Sequence, residues 1–306
     1  MSWQATFLQQ LINGLTIGAV YALIALGYTM VYGIVQLINF AHGEVFMVGA
    51  YIGLMVLSVA GVPSAMTGAM PWLWLVAILL AAMIGSGLLG LGIERVAYRP
   101  LRRAPKLAVL ITAIGVSFFL QNAVMLLCGA QDRYVPSPVP VVRWTIGGVT
   151  LTLMQVVMLA VAVVMMLALH RFVHGTRLGA AIRATAQDPK AARLVGIRVD
   201  GMIALAFVVG SSLAAFGGVL FALYYGTINF HDGYVVGLKA FTAAVLGGIG
   251  NIPGAMVGGV LLGLIEGLGA GYLSAQWKNV YAFVVLVVIL LLRPRGLLGE
   301  RVAERV

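Results

Sequence analysis

Nine stretches of nearly continuous apolar sequence, several of them close to the length that crosses a bilayer, leave this chain little choice of architecture. They fall at roughly 9–32, 42–60, 72–93, 107–128, 151–170, 201–224, 238–250, 254–273 and 279–292. With 62% hydrophobic and only 9% charged residues in 306, the chain lacks the polar surface to coat a soluble globule. Inside hydrocarbon every backbone amide and carbonyl must be satisfied without water, so only α-helices and closed β-barrels span it. Barrel strands alternate polar and apolar residues, and these runs do not. The sequence therefore predicts an all-α, polytopic transmembrane helix bundle of about 8–9 spans, some broken or re-entrant, forming a single domain over 1–306. The first thirty residues carry neither a basic leader nor a small-residue cleavage site, so they are read as a retained first helix. The lone Cys128 has no partner for an intrachain disulfide.

The net charge of +10 is concentrated in three clusters rather than spread as a nucleic-acid footprint. These are Arg95, Arg99, Arg102, Arg103 and Lys106; then Arg171, Arg177, Arg183, Lys190, Arg193 and Arg198; then Arg293, Arg295, Arg301 and Arg305. Basic residues flanking short membrane loops stay on the cytoplasmic side. Two spans separate the first two clusters, which puts an external loop at about 129–150, where Pro136, Pro138 and Pro140 lie. Three crossings counted back from Arg95 put the N-terminus outside as well.

The cytoplasmic loop at about 171–200 is the one long polar, basic segment. Gly179–Gln187 is alanine-rich helix material. Asp188 then stands where an N-cap accepts from the first free amides of a second short helix, and Pro189 takes the first helical position, where a missing N–H costs nothing. Gly196 suits the left-handed residue that ends it. Short, small-faced and ringed by Arg183, Lys190 and Arg193, this element fits a groove on a partner protein. The alternative, a helix lying on anionic lipid, needs a stronger apolar face than alanine provides.

Within the spans the glycines follow small-xxx-small spacing, Gly85, Gly87, Gly90 and Gly92 in one and Gly254, Gly258, Gly259, Gly263, Gly267 and Gly271 in another, which predicts close helix packing. At Leu246–Ala255 four glycines with Asn251 and Pro253 break the apolar run, and such backbone survives at membrane depth only beside protein or water. A tight hairpin or re-entrant turn is expected there. Polar groups at depth are few: Asn39, His42 and Glu44 within one break, and Glu266 inside a glycine-rich span. Ionisable groups in a bilayer are costly and mark a pairing, a cavity or a proton route. His42 and Glu44, two apart, point to opposite sides of a regular helix. Capping of a half-helix near Gly43, lining of a translocation path and proton coupling all remain open for this break. Asn39, His42, Glu44, Gly248, Asn251 and Glu266 are the candidate pathway residues.

Catalytic patterns are missing from the sequence. There is no HExxH, CxxC or GxSxG. All four lysines follow Pro105, Pro189, Leu238 and Trp277, so the Gly-Lys step of a phosphate-cradling Walker A loop does not occur. The chain is accordingly read as no enzyme and as binding no cofactor or metal. ATP-driven transport would need its motor on another polypeptide. A proton-coupled secondary transporter, using Glu44, His42 or Glu266 as its relay, is the rival reading.

The segment RATAQDPKAARLVGI, Arg183–Ile197, resembles the cytoplasmic coupling segment of bacterial importer permeases of the branched-chain amino acid type, the LivH family. Ala25–Tyr51, Ile93–Arg102, Ile111–Asn122, Lys239–Gly259 and the closing Arg293–Gly299 are similar to the same family in matching order, so the resemblance covers essentially the whole chain. It implies a type II importer-like permease fold in the bacterial cytoplasmic (inner) membrane. It also implies a second, LivM-like permease subunit, two ATP-binding cassette subunits holding ATP and Mg²⁺, and a periplasmic substrate-binding protein. On that resemblance Arg183, Asp188, Pro189, Ala191, Ala192, Gly196 and Ile197 belong to a coupling helix seated on the ATPase, and the cargo is a branched-chain or related neutral amino acid.

Overall fold

A computed structural model describes residues 3–61, 69–102 and 104–299. Arg103, Arg301 and Arg305 of the basic clusters lie outside these described residues. The chain runs through α1 (Trp3–Val35), α2 (His42–Val59), α3 (Met70–Ile93, continued by a π-helical turn Glu94–Tyr98) and α4 (Lys106–Cys128). An extended segment follows, with β1 (Arg133–Tyr134), β2 (Arg143–Ile146) and β3 (Val149–Thr152), then α5 (Leu153–Gly175), α6 (Arg177–Gln187), α7 (Pro189–Leu194) and α8 (Val199–Tyr225). The chain closes with β4 (Thr227–Ile228), α9 (Asp232–Gly247), α10 (Ile252–Tyr272) and α11 (Lys278–Leu292). Among the described residues, eight helical segments are long and apolar enough to cross a membrane, and α9, with 16 residues, falls short of them.

The centre of the bundle is α1, enclosed along most of its length by α8, α9 and α10. Its contact with α10 shows why glycine recurs there. Gly14 and Gly18 of α1 face Gly259, Gly263 and Gly267 of the antiparallel α10, and a methyl group placed on Gly14 would stand 2.8 Å from the Gly263 carbonyl oxygen. Without water to drive association inside a bilayer, helices gain adhesion by such backbone approach. On α3, Gly87 and Gly90 admit Ser212 and Ser211 of α8 in the same way, and the Ser212 hydroxyl donates to the Met83 carbonyl at 2.9 Å. Gly85 faces Ile52 of α2 instead, and Gly92 has open space around it. Outward faces of α3, α4, α5 and α11 carry exposed leucine, valine, isoleucine and phenylalanine, as lipid-facing helices do.

The loop expected outside is more ordered than its prolines suggest. β2 and β3 form an antiparallel hairpin turning through Gly147 and Gly148, both at positive φ. Thr152 and Gln155 then make a reciprocal capping box at the start of α5. Gln9 exchanges two hydrogen bonds with the Thr150 backbone, at 3.1 and 2.8 Å, so the start of α1 lies on the same side as this hairpin. That agrees with an external N-terminus.

Candidate functional site

Two helices begin inside the membrane. Ser117 is the central residue of α4, with eleven residues to either end, and its hydroxyl donates to Glu44 Oε1 at 3.1 Å. Glu44 sits in the first turn of α2, so α2 starts near mid-depth. The preceding break turns on Asn39: its Oδ1 accepts from the Ala41 amide at 3.1 Å and from the Tyr98 hydroxyl at 3.0 Å. His42 is directed away from Glu44, against α1, with its ring 4.6 Å from that of Tyr28. The first turn of α9 meets the first turn of α2 at this level. Gly43 packs on Gly233 and Gly237 of α9, and Gly233 lies directly against Glu44 Oε2. A side chain at any of these three glycines would part the two helix starts.

A cavity of ≈ 60 Å³ adjoins this junction, bounded by Tyr28, Phe40, Ser117, Phe118, Gly233 and Tyr234 among others. One helical turn above Ser117 on α4, Gln121 Nε2 lies 2.7 Å from His231 Nδ1, just ahead of α9. Asp232 caps locally through its Oδ2, which accepts from the Asn229 amide at 2.7 Å.

Glu266, whose partner the sequence does not reveal, is held by Lys239. The Lys239 Nζ donates to both carboxylate oxygens at 3.0 Å, and the Tyr21 hydroxyl donates to Oε2 at 2.8 Å. All three groups are buried. This ties α9, α10 and α1 together at one point. Burying two charges costs several kcal/mol each, and the geometry offsets that only when the remaining donors and acceptors are satisfied, as they are here.

The expected hairpin at Leu246–Ala255 is present. Gly248 and Gly250 turn at positive φ, and Asn251 caps α10 by accepting from the Gly254 amide at 2.9 Å. The C-terminal segment folds under it: Leu297 and Leu298 donate to the Leu246 and Gly247 carbonyls, and Asn251 Nδ2 donates to the Leu298 carbonyl. With Arg293 and Arg295 beside it, the hairpin lies at the cytoplasmic end, while Asn39, His42 and Glu44 cluster near mid-depth. Glu266 belongs to a separate cluster on α10.

On the cytoplasmic side, α6 is capped by Thr176, which accepts from the Gly179 amide, and α7 by Asp188 Oδ1, which accepts from Lys190 and Ala191 at 2.8 and 3.1 Å. Pro189 opens α7, and Gly196 ends it at φ +86. Gly179 packs against the carbonyls of Phe172 and Val173, which folds α6 back on α5. Arg183 donates to the Val173 carbonyl and so braces this corner. Ala192 is buried beneath α7 and Ile197 is half-buried, whereas Leu194 and Val195 project at 89% and 77% exposure. Asp200, in the first turn of α8, bonds Arg102 and lies 3.5 Å from Arg99 and 3.9 Å from Arg193 of α7; Arg102 also bonds the buried Glu94.

Comparison with known proteins resolves the family. A family model described as "Branched-chain amino acid transport system / permease component" matches residues 10–292. The high-affinity branched-chain amino acid transport system permease protein LivH of Escherichia coli (strain K12) is 48% identical over 305 residues, 98% of each chain. BraD, the corresponding permease protein of Pseudomonas aeruginosa, is 48% identical over 306 residues, again 98% of each. A probable LivH of Methanocaldococcus jannaschii is 25% identical over 285 residues, 90% of this chain and 88% of its own. The chain belongs to this permease family.

Membership gives the multi-pass bundle its role as a membrane permease component. Sequence reasoning about the permease missed Ser117, Tyr28, Gln121, His231 and Lys239 at depth, and Leu194 and Val195 at the cytoplasmic tip. Ser117 and Gln121 did leave a signal, two polar residues four apart on one face of an apolar helix. Lys239 was readable as a basic residue inside a predicted span, a placement tolerated only with a partner.

Proposed function

We propose that this permease is one transmembrane subunit of an ATP-driven importer of the bacterial cytoplasmic membrane that carries branched-chain or related neutral amino acids into the cell. Its partners in this reading are a second, LivM-like permease subunit, two ATP-binding subunits that hold ATP and Mg²⁺, and a periplasmic substrate-binding protein. The 177–197 loop, carrying Arg183, Asp188, Pro189, Ala191, Ala192, Gly196 and Ile197, couples it to the ATPases. The cargo is taken from the names of the relatives at 48% identity. A separate motor follows from a sequence in which no lysine succeeds a glycine.

The observation that carries the coupling assignment is the exposed apolar pair Leu194–Val195 at the tip of a doubly capped corner in which Ile182 and Ala192 face inward. Two large apolar side chains held at such exposure beside Lys190 and Arg193 suit a groove that buries them. Within the element, Arg183 and Ala192 hold the corner rigid, and Leu194 and Val195 make the contact.

Mild-detergent purification of the chain from its native membrane, with mass spectrometry and an ATPase assay, tests the assembly. Two P-loop subunits and a second permease are expected; an ATPase-free chain that retains ion-driven transport in liposomes would sink the importer reading. Leu194→Asp with Val195→Asp is expected to leave insertion intact while uptake falls and ATPase subunits dissociate more readily. Wild-type ATP-dependent uptake by that variant would remove the coupling assignment.

A further inference from the structure

Glu44 and Glu266 are both buried acidic groups, and they differ in one respect. Glu266 has a cation and a hydroxyl on its oxygens. Among the described residues, Glu44, 1% exposed, takes only the Ser117 hydroxyl on Oε1, and its Oε2 has no hydrogen-bond partner. Among the described residues no basic side chain pairs with it. A carboxylate kept unpaired at the centre of a bilayer is costly. A fold that nevertheless places it beside a cavity offers it to a cation that arrives and leaves.

The cavity matches such a cation. Glu44 stands directly behind the cavity wall, which includes Ser117, the donor to its Oε1, and Gly233, packed against its Oε2. Four further wall residues, Tyr28, Phe40, Phe118 and Tyr234, are aromatic, and ring faces attract a cation when water is excluded. The space opens between α4 and α9, where Phe118 and Tyr234 stand 56% and 50% exposed. At ≈ 60 Å³ it accepts a small charged head while the remainder of a ligand projects through that opening. The adjacent N-terminal ends of α2 and α9 add a positive field that favours the ionised form of Glu44, which lies in the first turn of α2.

We propose that this cavity is a mid-membrane recognition subsite for the α-ammonium group of the transported amino acid, with Glu44 as its counter-ion and Ser117 as the residue that orients the carboxylate. This rests on the importer reading, which supplies a zwitterionic cargo. It assigns Glu44 to the cargo rather than to a proton.

The test uses the complete importer with its binding protein in proteoliposomes, following labelled leucine uptake and ATP hydrolysis together. Glu44→Gln keeps the shape and an acceptor for Ser117 but removes the charge; uptake is expected to fall roughly tenfold or more, the scale of a hydrogen bond to a charged group. Assembly and binding-protein-stimulated ATP hydrolysis should persist, and Glu44→Asp should recover part of the uptake. Wild-type uptake should be indifferent to a protonophore. Uptake by Glu44→Gln at the wild-type rate overturns the proposal, as does wild-type uptake that collapses with the proton gradient. Where Glu44→Gln fails to assemble, Ile114→Trp fills the cavity at another of its α4 wall residues and leaves Glu44 in place, and normal uptake by that variant overturns the proposal equally. A wild-type complex with no ATP-dependent amino acid uptake removes the importer reading and this one with it, whereas failure of the variants alone removes only the subsite.

Discussion

Replacing Lys239 by methionine tests what holds the short helix α9 in place. The ammonium lies 3.0 Å from both oxygens of Glu266, with the two side chains only 7% and 5% exposed. Methionine keeps the stem and removes the charge, which leaves the Glu266 carboxylate with the Tyr21 hydroxyl alone. Breaking a buried pair from one side costs about 3–5 kcal/mol because the survivor stays desolvated. An exposed pair would cost about 0–1 kcal/mol. Removing both charges, Lys239→Met with Glu266→Met, takes away the desolvation cost along with the attraction and is expected to be near neutral. The double-mutant cycle should therefore show a coupling of roughly 3 kcal/mol or more, well outside the ~0.5 kcal/mol scatter of independent sites. Equilibrium unfolding in mixed micelles, followed by circular dichroism, reads the four corners. A single variant that loses less than about 1 kcal/mol, or a double variant as unstable as the single, would refute the argument that this pair is a desolvated strut.

Other consequences are quicker to state. Asp188→Ala should cost about 0.5–2 kcal/mol at α7, a helix of six residues with no independent stability; Asp188→Asn, which still caps, should keep uptake closer to wild type, and equal uptake by the two variants would count against the cap. Gly14→Val drives a side chain onto the α10 backbone at Gly263 and Leu264, where a Cβ already stands at 2.8–3.0 Å; a loss of about 1–3 kcal/mol or more is expected in the same unfolding assay, and an unchanged transition would show that α1 and α10 part freely.

The spans were legible because each is read from a local property. Continuous apolar sequence sets helix existence, and the hairpin at Leu246–Ala255 announces itself by glycine, Asn251 and Pro253. The cytoplasmic corner was equally local: Asp188, Pro189 and Gly196 occupy the cap, first-turn and left-handed positions that their chemistry prefers. Depth was not legible. The span read as 238–250 is a helix over Asp232–Gly247, because whether Asp232 and Gly233 lie outside or at mid-depth depends on Gly43 receiving them. Nor was the inward face of Ala192, which six residues of helix are too few to declare by periodicity. The Lys239–Glu266 pair joins two helices across a turn, and a single sequence shows that each needs a partner at depth without showing that the partner is the other.

The charges at the cytoplasmic end suggest how a push on α7 would travel. Arg193 of α7 reaches Asp200, and Asp200 holds Arg102, which in turn holds the buried Glu94 at the end of α3. The exposed members of this chain contribute little to stability, but the Arg102–Glu94 bond is shielded and fixes the α3–α4 link to the start of α8. Above it, Gly87 and Gly90 interlock α3 with α8 so closely that neither can slide without the other. On the coupling proposed above, a displacement of α7 would enter the bundle through the α3–α8 pair, against which α2 is packed through Gly49 and Gly218 and α1 through Gly27 and Gly210. α1, α9 and α10 are joined by Lys239, Glu266 and Tyr21 and by the glycine seam, and α1 is packed just as closely on α8, where Gly27 meets Gly210. The start of α2 and the start of α9 meet at the contact between Glu44 and Gly233. Packed interfaces of this kind switch between discrete arrangements rather than deform continuously. On the coupling and the subsite proposed above, a small shift at this contact would open or close the cavity beside Glu44.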